Sequence, residues 1–455
     1  MEIEGCDPQV HSCRFCRTNM VVYAPGRTSG YPQTPPERGL RYHYLGGGNE
    51  VGNVGIMLED PTSNRLLLDY GIAPTKPPRY PNEAPHVSHA IITHSHIDHL
   101  GMVPWLASNH NSTLHGTELT AAISEMMWYD CHKVSSIEGY PLPWDKRDID
   151  LALSAWNTHK FNKSWSQDDW KLELHRAGHI PGAAMLHVET PNKSVLFSGD
   201  FDTRDSQLTI GAQPVKTDVL FVEGTYGGRD HPPKQEENER FIERIVEVID
   251  RGGTALVPAF ANGRTQDVVM LLHKYLPELD VHVDGMGKRV AKLQMEHPET
   301  LRDPSALESA WKWCRRVSSK SDRKKALDAD VIVSTSGMMD GGPSIWYLNR
   351  LRHDRKNAIL LTGYQARNTG GRRLLEESKV PIFGNLTNIE LDVDQYSFST
   401  HAGNQEIVQF AEECQAEDVV IYHSDPNMAR PPLAEALELK GHRVHLPKNG
   451  ESEVI

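Results

Sequence analysis

The sequence predicts an α/β protein built from two kinds of unit: a strand-rich unit of stacked sheets, and a unit whose mainly parallel sheet is flanked by helices. Two patterns support this prediction. Up to about residue 224, short β-rich runs are separated by Gly, Pro and Asn, which is typical of stacked sheet strands. From about residue 230 to 395, apolar strands alternate with helical segments, and this βαβ pattern indicates a parallel sheet. A chain of 455 residues is long enough for two to three domains.

The strand-rich unit opens with short runs that predict strands: RYHYLGG, VGIMLE, RLLLDYG and HAIIT. After Gly101 the pattern becomes helical, with apolar residues three and four apart in VPWLA and TAAISEMMWYD. The unit then returns to strands in KLELHRAGH, AMLHVET, KSVLFSGD and VLFVEGTY.

The parallel-sheet unit starts with an amphipathic helix in EENERFIERIVEVIDRGG, which ends at Gly252 and Gly253. A strand (TALVPAF), a helix (DVVMLLHKYL) and three further strands (VHVDG, DVIVSTS and AILLTGY) follow. The chain ends with a predicted helix, strand, helix and strand in QEIVQFAEEC, DVVIYHS, LAEALELKG and HRVHLP.

Composition describes an ordinary globular protein, with a net charge of −13, 24% charged and 38% hydrophobic residues. No stretch approaches the roughly 20 apolar residues of a membrane-spanning helix, and the first residues show no apolar signal segment, so we expect no membrane contact and a cytoplasmic location. Charge is uneven along the chain. Residues 312–373 hold fourteen Lys and Arg against five Asp, a net +9, so this segment could attract a polyanion.

The first 38 residues are rich in Pro and predict an irregular extension. Cys6, His11, Cys13 and Cys16 lie within it and could form a small structural zinc site. Such sites usually separate their ligand pairs further, so a tail without metal is the alternative.

Metal-binding side chains are concentrated directly after the strand HAIIT. His94, His96, Asp98 and His99 place four potential ligands within six residues, a density that favours a metal site over a set of surface polar residues. Three more candidates follow later strands: His179, Asp200 and His423. Each of the three is weak evidence alone, but their order after the cluster strengthens the prediction.

These residues resemble the motifs of the metallo-β-lactamase fold hydrolases. The family's four successive metal-site motifs are matched in this sequence by Asp69, the HSHIDH cluster, His179 and Asp200. Glu223 in VEGTYGG, His401 in FSTHAG and His423 in IYHSD match the three added motifs of the β-CASP nucleases. The similarity is greatest to archaeal and bacterial homologues of the nuclease subunit of the cleavage and polyadenylation specificity factor. Ribonuclease J is a more distant relative.

The resemblance implies an αββα metallo-β-lactamase sandwich with an inserted β-CASP domain. The expected organisation is an extension over 1–38, the first part of the sandwich over 39–224, the β-CASP domain over 225–395, and the last part of the sandwich over 396–455.

The resemblance also implies two Zn²⁺ ions per chain. It would place His94, His96 and His179 on one ion, place Asp98, His99 and His423 on the other, and let Asp200 bridge both. Asp69 would orient a ligand histidine without binding metal itself. Two such ions can activate a water and stabilise charge in a phosphoryl displacement. The expected catalytic residues are Asp98, His401 as general acid, and Glu223 as the carboxylate that favours protonated His401.

Single-stranded RNA is the expected partner, with a homodimer implied by the family. The candidate RNA contacts lie near the general acid or in the basic segment and its neighbourhood: Ser397, Ser399, Thr400, Arg264, Tyr364, Arg372 and Arg373.

The sequence therefore predicts a zinc-dependent ribonuclease that leaves a 5′-phosphate and a 3′-hydroxyl and cuts endonucleolytically. Three alternatives stay open: a 5′-to-3′ exoribonuclease of the ribonuclease J type, a DNA nuclease, and an inactive RNA-binding scaffold. The DNA nucleases of this family typically lack the histidine found here at 423, and inactive relatives lose zinc ligands that are all present in this chain. A small-ester hydrolase is disfavoured because such enzymes lack the inserted domain.

Overall fold

The structure is a computed structural model and describes residues 31–455. The candidate zinc ligands Cys6, His11, Cys13 and Cys16 lie outside the described residues. The elements up to the end of the first part of the sandwich are β1 (Arg41–Gly46), β2 (Gly55–Glu59), β3 (Arg65–Leu68), β4 (His89–Ile91), α1 (Ile97–Leu100), α2 (Val103–His110), β5 (Thr113–Gly116), α3 (Glu118–Glu138), α4 (Lys146–Ser154), β6 (Trp156–Thr158), β7 (Trp165–Gln167), β8 (Trp170–Arg176), β9 (Ala184–Glu189), β10 (Ser194–Phe197) and β11 (Val219–Glu223).

The remaining elements form the inserted unit and the return to the sandwich. They are α5 (Lys234–Asp250), β12 (Ala255–Pro258), α6 (Arg264–Tyr275), β13 (Val281–Asp284), α7 (Gly287–Glu296), α8 (Pro304–Trp313), β14 (Arg315–Arg316), α9 (Lys320–Lys325), β15 (Val331–Ser334), α10 (Gly342–Leu351), β16 (Ala358–Leu361), α11 (Gly370–Glu377), β17 (Lys379–Ile382), β18 (Asn385–Asn388), β19 (Asp392–Gln395), α12 (Asn404–Cys414), β20 (Asp418–Tyr422), α13 (Arg430–Leu439), β21 (Arg443–His445) and β22 (Ser452–Val454).

Two seven-stranded sheets pack face to face. Their strand orders are β22-β1-β2-β3-β4-β5-β6 and β21-β20-β11-β10-β9-β8-β7. Side chains such as Leu58, Leu68, Phe197 and Phe221 fill the space between the sheets. The outer face of the first sheet packs on α1 to α4, and that of the second on α12 and α13. These four layers confirm the αββα sandwich, because each sheet buries both of its apolar faces.

The inserted unit contains a parallel sheet with the order β14-β13-β15-β12-β16-β19. Its central strands are buried throughout, as expected for strands covered on both faces. Helices α5, α6 and α8 cover one face, while α10 and α11 cover the other. The predicted α/β fold with a second, parallel sheet is therefore confirmed.

The C-terminal strand β22 was not predicted from the sequence. Its segment ESEVI is short and mostly polar, so it carries no strand pattern. In the structure it pairs antiparallel with β1, with Arg41 opposite Val454, and so covers the edge of the first sheet. Within residues 31–455, no helix combines the length and the apolar character that crossing a membrane requires.

A row of three histidines closes one edge of the sandwich. His89 Nδ1 lies 3.1 Å from His115 Nε2, and His115 Nδ1 lies 2.9 Å from His159 Nε2. The ring of Trp165 stacks on His159 with centroids 3.6 Å apart. Burial, followed by the neighbouring His159 and His89, lowers the pKa of His115 to about 3.

We expect this row to make the fold sensitive to acid. An unfolded histidine titrates near 6.5, so between pH 6.5 and about 3 the unfolded chain binds a proton at His115 that the folded chain excludes. Stability contributed by neutral His115 is full above pH 6.5 and falls by up to about 1.4 kcal/mol per pH unit below it. His115→Gln should remove this slope in urea unfolding measured from pH 7.5 to 5. The exposed His353, changed to Gln, is the control, and equal slopes for wild type and His115→Gln would contradict the prediction.

Candidate metal centre

The predicted ligands follow strands whose carboxyl ends meet at one end of the sandwich. His94 and His96 lie between β4 and α1, Asp98 and His99 begin α1, and His179 follows β8. Asp200 follows β10, and His423 follows β20. Strands β10, β11 and β20 are parallel neighbours, which is why residues more than 200 positions apart converge. Their ligand atoms form three groups, each within 4.8 Å: His94, His96, His179 and Asp200; Asp98, His99 and His423; and Asp200, Glu223 and His401.

Asp200 lies between the first two groups and presents one carboxylate oxygen to each. Its Oδ2 is 3.7 Å from His94 Nε2 and 3.8 Å from His179 Nε2. Its Oδ1 is 3.3 Å from His99 Nε2 and 3.6 Å from His423 Nδ1. A carboxylate placed in this way can bridge two cations.

The first group has the spacing of ligands around a single ion. His96 Nδ1 lies 3.1 Å from both His94 Nε2 and His179 Nε2. Four ligands in a tetrahedron at roughly 2.0–2.1 Å from Zn²⁺ would be about 3.3 Å apart. The three nitrogens, with Asp200 Oδ2 at 3.7 and 3.8 Å from two of them, have close to the spacing of tetrahedral ligands.

The second group faces Asp200 across buried atoms that make no hydrogen bond. His423 Nε2 lies 3.4 Å from Asp98 Oδ2. His99 Nε2 and Asp200 Oδ1 are buried and lie 3.3 Å apart, and among the described residues neither makes a hydrogen bond. Since a buried polar atom without a hydrogen bond is costly, a cation that both atoms coordinate would satisfy them.

Hydrogen bonds to residues outside the ligand groups fix the ring orientations of the ligand histidines. Asp69 accepts from His99 Nδ1 at 2.7 Å and from Thr93 Oγ1 at 2.8 Å. Thr93 Oγ1 in turn lies 3.1 Å from His94 Nδ1. Both rings are thereby held through Nδ1, which leaves Nε2 free for a metal. The orienting role of Asp69 stays a prediction, and Thr93 is a partner that the sequence pattern did not single out.

His179 and His423 are held in the same way. His179 Nδ1 donates to the carbonyl oxygen of Thr400 at 2.8 Å. Thr225 Oγ1 lies 2.9 Å from His423 Nδ1, and the same hydroxyl donates to the His423 carbonyl. Thr225 was missed because threonine is a common residue and its partner lies 198 positions away.

Electrostatics favour the metal-binding forms of His94, His179 and Asp200. For His99 and His423, burial alone would lower the pKa, but Asp200 and the neighbouring carboxylates raise it. Burial lowers the pKa of His94 and of His179 well below 6.5, so both are neutral donors. Burial alone would raise the pKa of Asp200, but His99 and the other neighbouring histidines lower it well below its ordinary value, so it is ionised. Neutral imidazole and carboxylate are the forms that coordinate cations.

His401 and Glu223 form a separate pair beside Asp200. His401 Nδ1 donates to Glu223 Oε1 at 2.7 Å, and Glu223 is fully buried. Burial alone would lower the pKa of His401, but Glu223, followed by Asp200, raises it to about 9. The second Glu223 oxygen accepts from the backbone of Thr225 at 2.9 Å. The pair therefore holds a proton next to the cluster.

The backbone of His401 is fixed by two further side chains. Arg204 Nη2 and His231 Nε2 both donate to its carbonyl oxygen, at 3.1 and 3.0 Å. Burial, followed by Arg204, lowers the pKa of His231 to about 4, so His231 is neutral. Its other nitrogen lies 3.3 Å from Ser397 Oγ. Nothing in the sequence singled out Arg204 or His231, because neither lies in a recognisable motif.

The predicted RNA contacts near His401 have partners within the protein. Ser399 Oγ accepts from the backbone of His401 at 3.1 Å. Thr400 Oγ1 lies 3.2 Å from His179 Nδ1. Together with Ser397 these hydroxyls shape the loop of the general acid, and their contact with RNA stays a prediction.

The other predicted RNA contacts differ in their exposure and in the partners that they already have within the protein. Arg264 is 9% exposed, its Nη1 lies 3.4 Å from Asp267, and its Nε is buried without a hydrogen-bond partner. Arg372 pairs with Glu376 at 2.6 Å, and the neighbouring Arg373 is half-buried. Tyr364 is 50% exposed.

The basic segment 312–373 is partly neutralised by acidic residues. Arg323 bonds Asp284 through two nitrogens at 2.6 and 3.2 Å, and Arg315 pairs with Asp280. The net +9 of the segment therefore overstates the charge that it offers to a polyanion.

Comparison with known proteins agrees with the fold and the cluster. Residues 56–258 match the metallo-beta-lactamase superfamily, residues 265–374 match the Beta-Casp domain, and residues 387–447 match the Zn-dependent metallo-hydrolase RNA specificity domain. The chain is 34% identical over 422 residues to "Probable RNase MJ4" of Methanocaldococcus jannaschii, an alignment that covers 90% of this chain and 98% of the relative. The chain belongs to the β-CASP family of metallo-β-lactamase-fold nucleases. It is a metal-dependent hydrolase.

Other β-CASP relatives are similar over most of this chain. "RNase aCSPSF2" of Saccharolobus solfataricus is 31% identical, with 90% of this chain and 84% of the relative covered. "Transcription termination factor FttA" of Methanocaldococcus jannaschii is 30% identical, with 85% and 67% covered. A crystal structure of a protein of unknown function from Enterococcus faecalis V583 superimposes with a TM-score of 0.58 over 92% of this chain and all of that one, at 13% identity. At that identity the likeness concerns the fold alone.

Proposed function

We propose that this β-CASP protein is a zinc-dependent endoribonuclease that hydrolyses RNA phosphodiester bonds and leaves a 5′-phosphate and a 3′-hydroxyl. The observation that carries the proposal is the position of Asp200, whose two carboxylate oxygens face two separate groups of metal-binding side chains. A protonated His401 held by Glu223 adjoins the same carboxylate. Two cation positions and a proton donor are the parts that phosphodiester hydrolysis requires.

The ligand assignment follows the two groups. His94, His96 and His179 would hold one ion, Asp98, His99 and His423 the other, and Asp200 both. A set of imidazoles and carboxylates suits Zn²⁺. When bound, a pair of such ions supplies an activated water and stabilises the charge that develops on the phosphoryl group.

The remaining residues of the site orient the ligand histidines and supply a proton to the leaving group. Asp69 holds the ring of His99 and, through Thr93, that of His94. His401 donates its proton to the departing ribose 3′-oxygen, while Glu223 keeps the imidazole protonated before that step. Without such a donor the 3′-oxygen would have to leave as an alkoxide.

Several side chains are proposed to hold the RNA backbone. Arg264 is the strongest of them, because its buried Nε has no partner in the described part of the chain and phosphate is a matching acceptor. Tyr364, Arg372, Arg373, Ser397, Ser399 and Thr400 remain proposed contacts. RNA as the substrate class is supported by the relatives, two of which are named RNases.

We further propose that the protein acts in the cytoplasm, as its sequence pattern led us to expect, and that it forms a homodimer, as the family resemblance implies. Light scattering on the purified protein tests the second point. A mass of 51.1 kDa would mean a monomer and reject the dimer.

Circular RNA tests the proposed activity most directly. With Zn²⁺ present, we expect the purified protein to convert a single-stranded circle into linear products. A circle that resists cleavage, while linear 5′-monophosphorylated RNA is digested, would identify a 5′-to-3′ exonuclease. Failure to cleave either RNA in the zinc-loaded protein would overturn the ribonuclease proposal.

The chemical groups at the ends of the RNA products distinguish the proposed activity from that of contaminating ribonucleases. Metal-dependent hydrolysis should leave a 3′-hydroxyl that a ligase or poly(A) polymerase can extend. Common contaminating ribonucleases use the 2′-hydroxyl and leave a 2′,3′-cyclic phosphate. An RNA circle with a single 2′-deoxy linkage should be cut at that linkage if water is the nucleophile.

A further inference from the structure

Phe260 is an exposed aromatic residue with no role in the site described so far. It lies two residues beyond the end of β12 and is 39% exposed. Single exposed apolar residues are common on protein surfaces, so exposure alone carries little weight. Three independent observations bear on what this ring could contact.

The first observation is its place in the inserted sheet. Strand β12 lies between β15 and β16, and all three are parallel. The helix after β12, α6, covers one face of the sheet, while the helix after β16, α11, covers the other. The crevice beyond the carboxyl ends of two such strands is where open α/β sheets bind ligands. Phe260 follows β12 into this crevice, and Tyr364 follows β16.

The second observation is that glycines flank the ring. A Cβ at Gly337, beyond β15, would lie 3.4 Å from Phe260 Cδ2 and 2.9 Å from the Phe260 backbone nitrogen. A Cβ at Gly363, beyond β16, would lie 3.9 Å from Phe260 Cε2, with no other atom within 4 Å. Side chains at these positions would cover the edge of the ring. With glycine there, the ring stays uncovered.

The third observation connects this loop to the metal centre. Asn262 Nδ2 donates to Ser95 Oγ at 2.9 Å, and Ser95 lies between His94 and His96. Gly263 approaches Ile180, the residue after His179, so closely that a Cβ would lie 2.8 Å from Ile180 Cγ2. The loop that begins at Phe260 thus packs on the two loops that carry the three histidines of the first group.

We propose that Phe260 stacks on a nucleobase of unpaired RNA, beside the bond that is cleaved. The inference rests on the proposed ribonuclease function and adds a residue that contacts the expected single-stranded substrate, because a base can lie flat on an aromatic ring only when it is free of a helix. Every base has a π face, so this contact selects single strands without selecting a sequence.

Abasic substitution in short single-stranded oligonucleotides tests the contact. In wild type, one abasic position near the cleaved bond should raise KM about tenfold and leave kcat little changed, the usual size of a base–aromatic contact. Phe260→Ala should raise KM for the intact oligonucleotide about tenfold as well. In Phe260→Ala, the same abasic position should not raise KM further, because the contact between ring and base is already absent. Phe260→Trp should retain the low KM.

Phe383 provides a matched control. It is 74% exposed and follows β17 in the turn before β18. Phe383→Ala should leave KM unchanged, and thermal unfolding should show that both alanine variants are folded. Equal KM for wild type and Phe260→Ala, or the same abasic penalty in both, would overturn the inference while the ribonuclease function stands. If folded, zinc-loaded wild type cleaves no RNA, both proposals fail.

Discussion

Replacing Asp200 by Asn is expected to release at least one of the two proposed metal ions and to lower RNA cleavage by about a thousandfold. An amide keeps the shape of the side chain but loses the charge and one of the two oxygens that face the ligand groups. Metal ions contribute several kcal/mol of transition-state stabilisation, and about 4 kcal/mol corresponds to a factor of a thousand. Elemental analysis of the purified protein measures the metal, and a fluorogenic RNA measures the rate.

Asp418 offers a matched control for this substitution. It is also a buried aspartate, it lies on β20 of the same sheet, and it pairs with Arg443 and His445, away from the cluster. Asp418→Asn should lower the unfolding temperature without changing the metal content per folded chain. Two ions per chain and a normal rate in Asp200→Asn would show that this carboxylate does not bridge.

How well the sequence predicted the site depended on the kind of residue. The candidate ligands could be found because four of them lie within six residues, and because the motif order of a known family arranges the other three, each of which is weak evidence alone. Bringing His423 to the HSHIDH cluster requires the parallel pairing of β11 with β20, which short-range pattern alone cannot reveal. The resemblance supplied that long-range information.

The residues that orient the ligands escaped sequence reasoning for a physical reason. Thr93 and Thr225 hold ligand histidines through their hydroxyls, and His231 holds the backbone of His401. The partners of Thr225 and His231 lie 198 and 170 positions away. Threonine hydroxyls form such bonds throughout proteins, so neither residue type nor spacing distinguishes these. The polar terminal strand β22 was missed for a related reason, since its stability comes from its partner β1 and not from its own pattern.

Charge counting along the sequence was also a limited guide. The segment 312–373 holds fourteen basic and five acidic residues, but several of its arginines pair with acids outside the segment. By contrast Arg264, which lies outside that segment, has a buried Nε without a hydrogen-bond partner among the described residues. Whether an arginine can bind phosphate therefore depends more on its position and its existing hydrogen bonds than on the local density of charge in the sequence.

His401→Ala is expected to lower kcat for RNA by roughly a hundred- to ten-thousandfold, the usual contribution of a general acid. The reason is that the 3′-oxygen would leave without the proton that His401 holds against Glu223. Metal content should stay at the wild-type level, because His401 is not one of the seven proposed ligands. A lower metal content would instead assign His401 to the metal centre.

A sulfur substitution separates proton donation from a structural role. In an RNA with sulfur in place of the bridging 3′-oxygen, the leaving group departs as a thiolate and needs no proton. We expect His401→Ala to cleave this linkage nearly as fast as wild type, whereas Asp200→Asn should stay slow on both substrates. Equal loss on the oxygen and sulfur substrates would mean that His401 does not act as the acid. Proton donation, unlike general damage to the loop, is the one role whose loss the better leaving group can compensate.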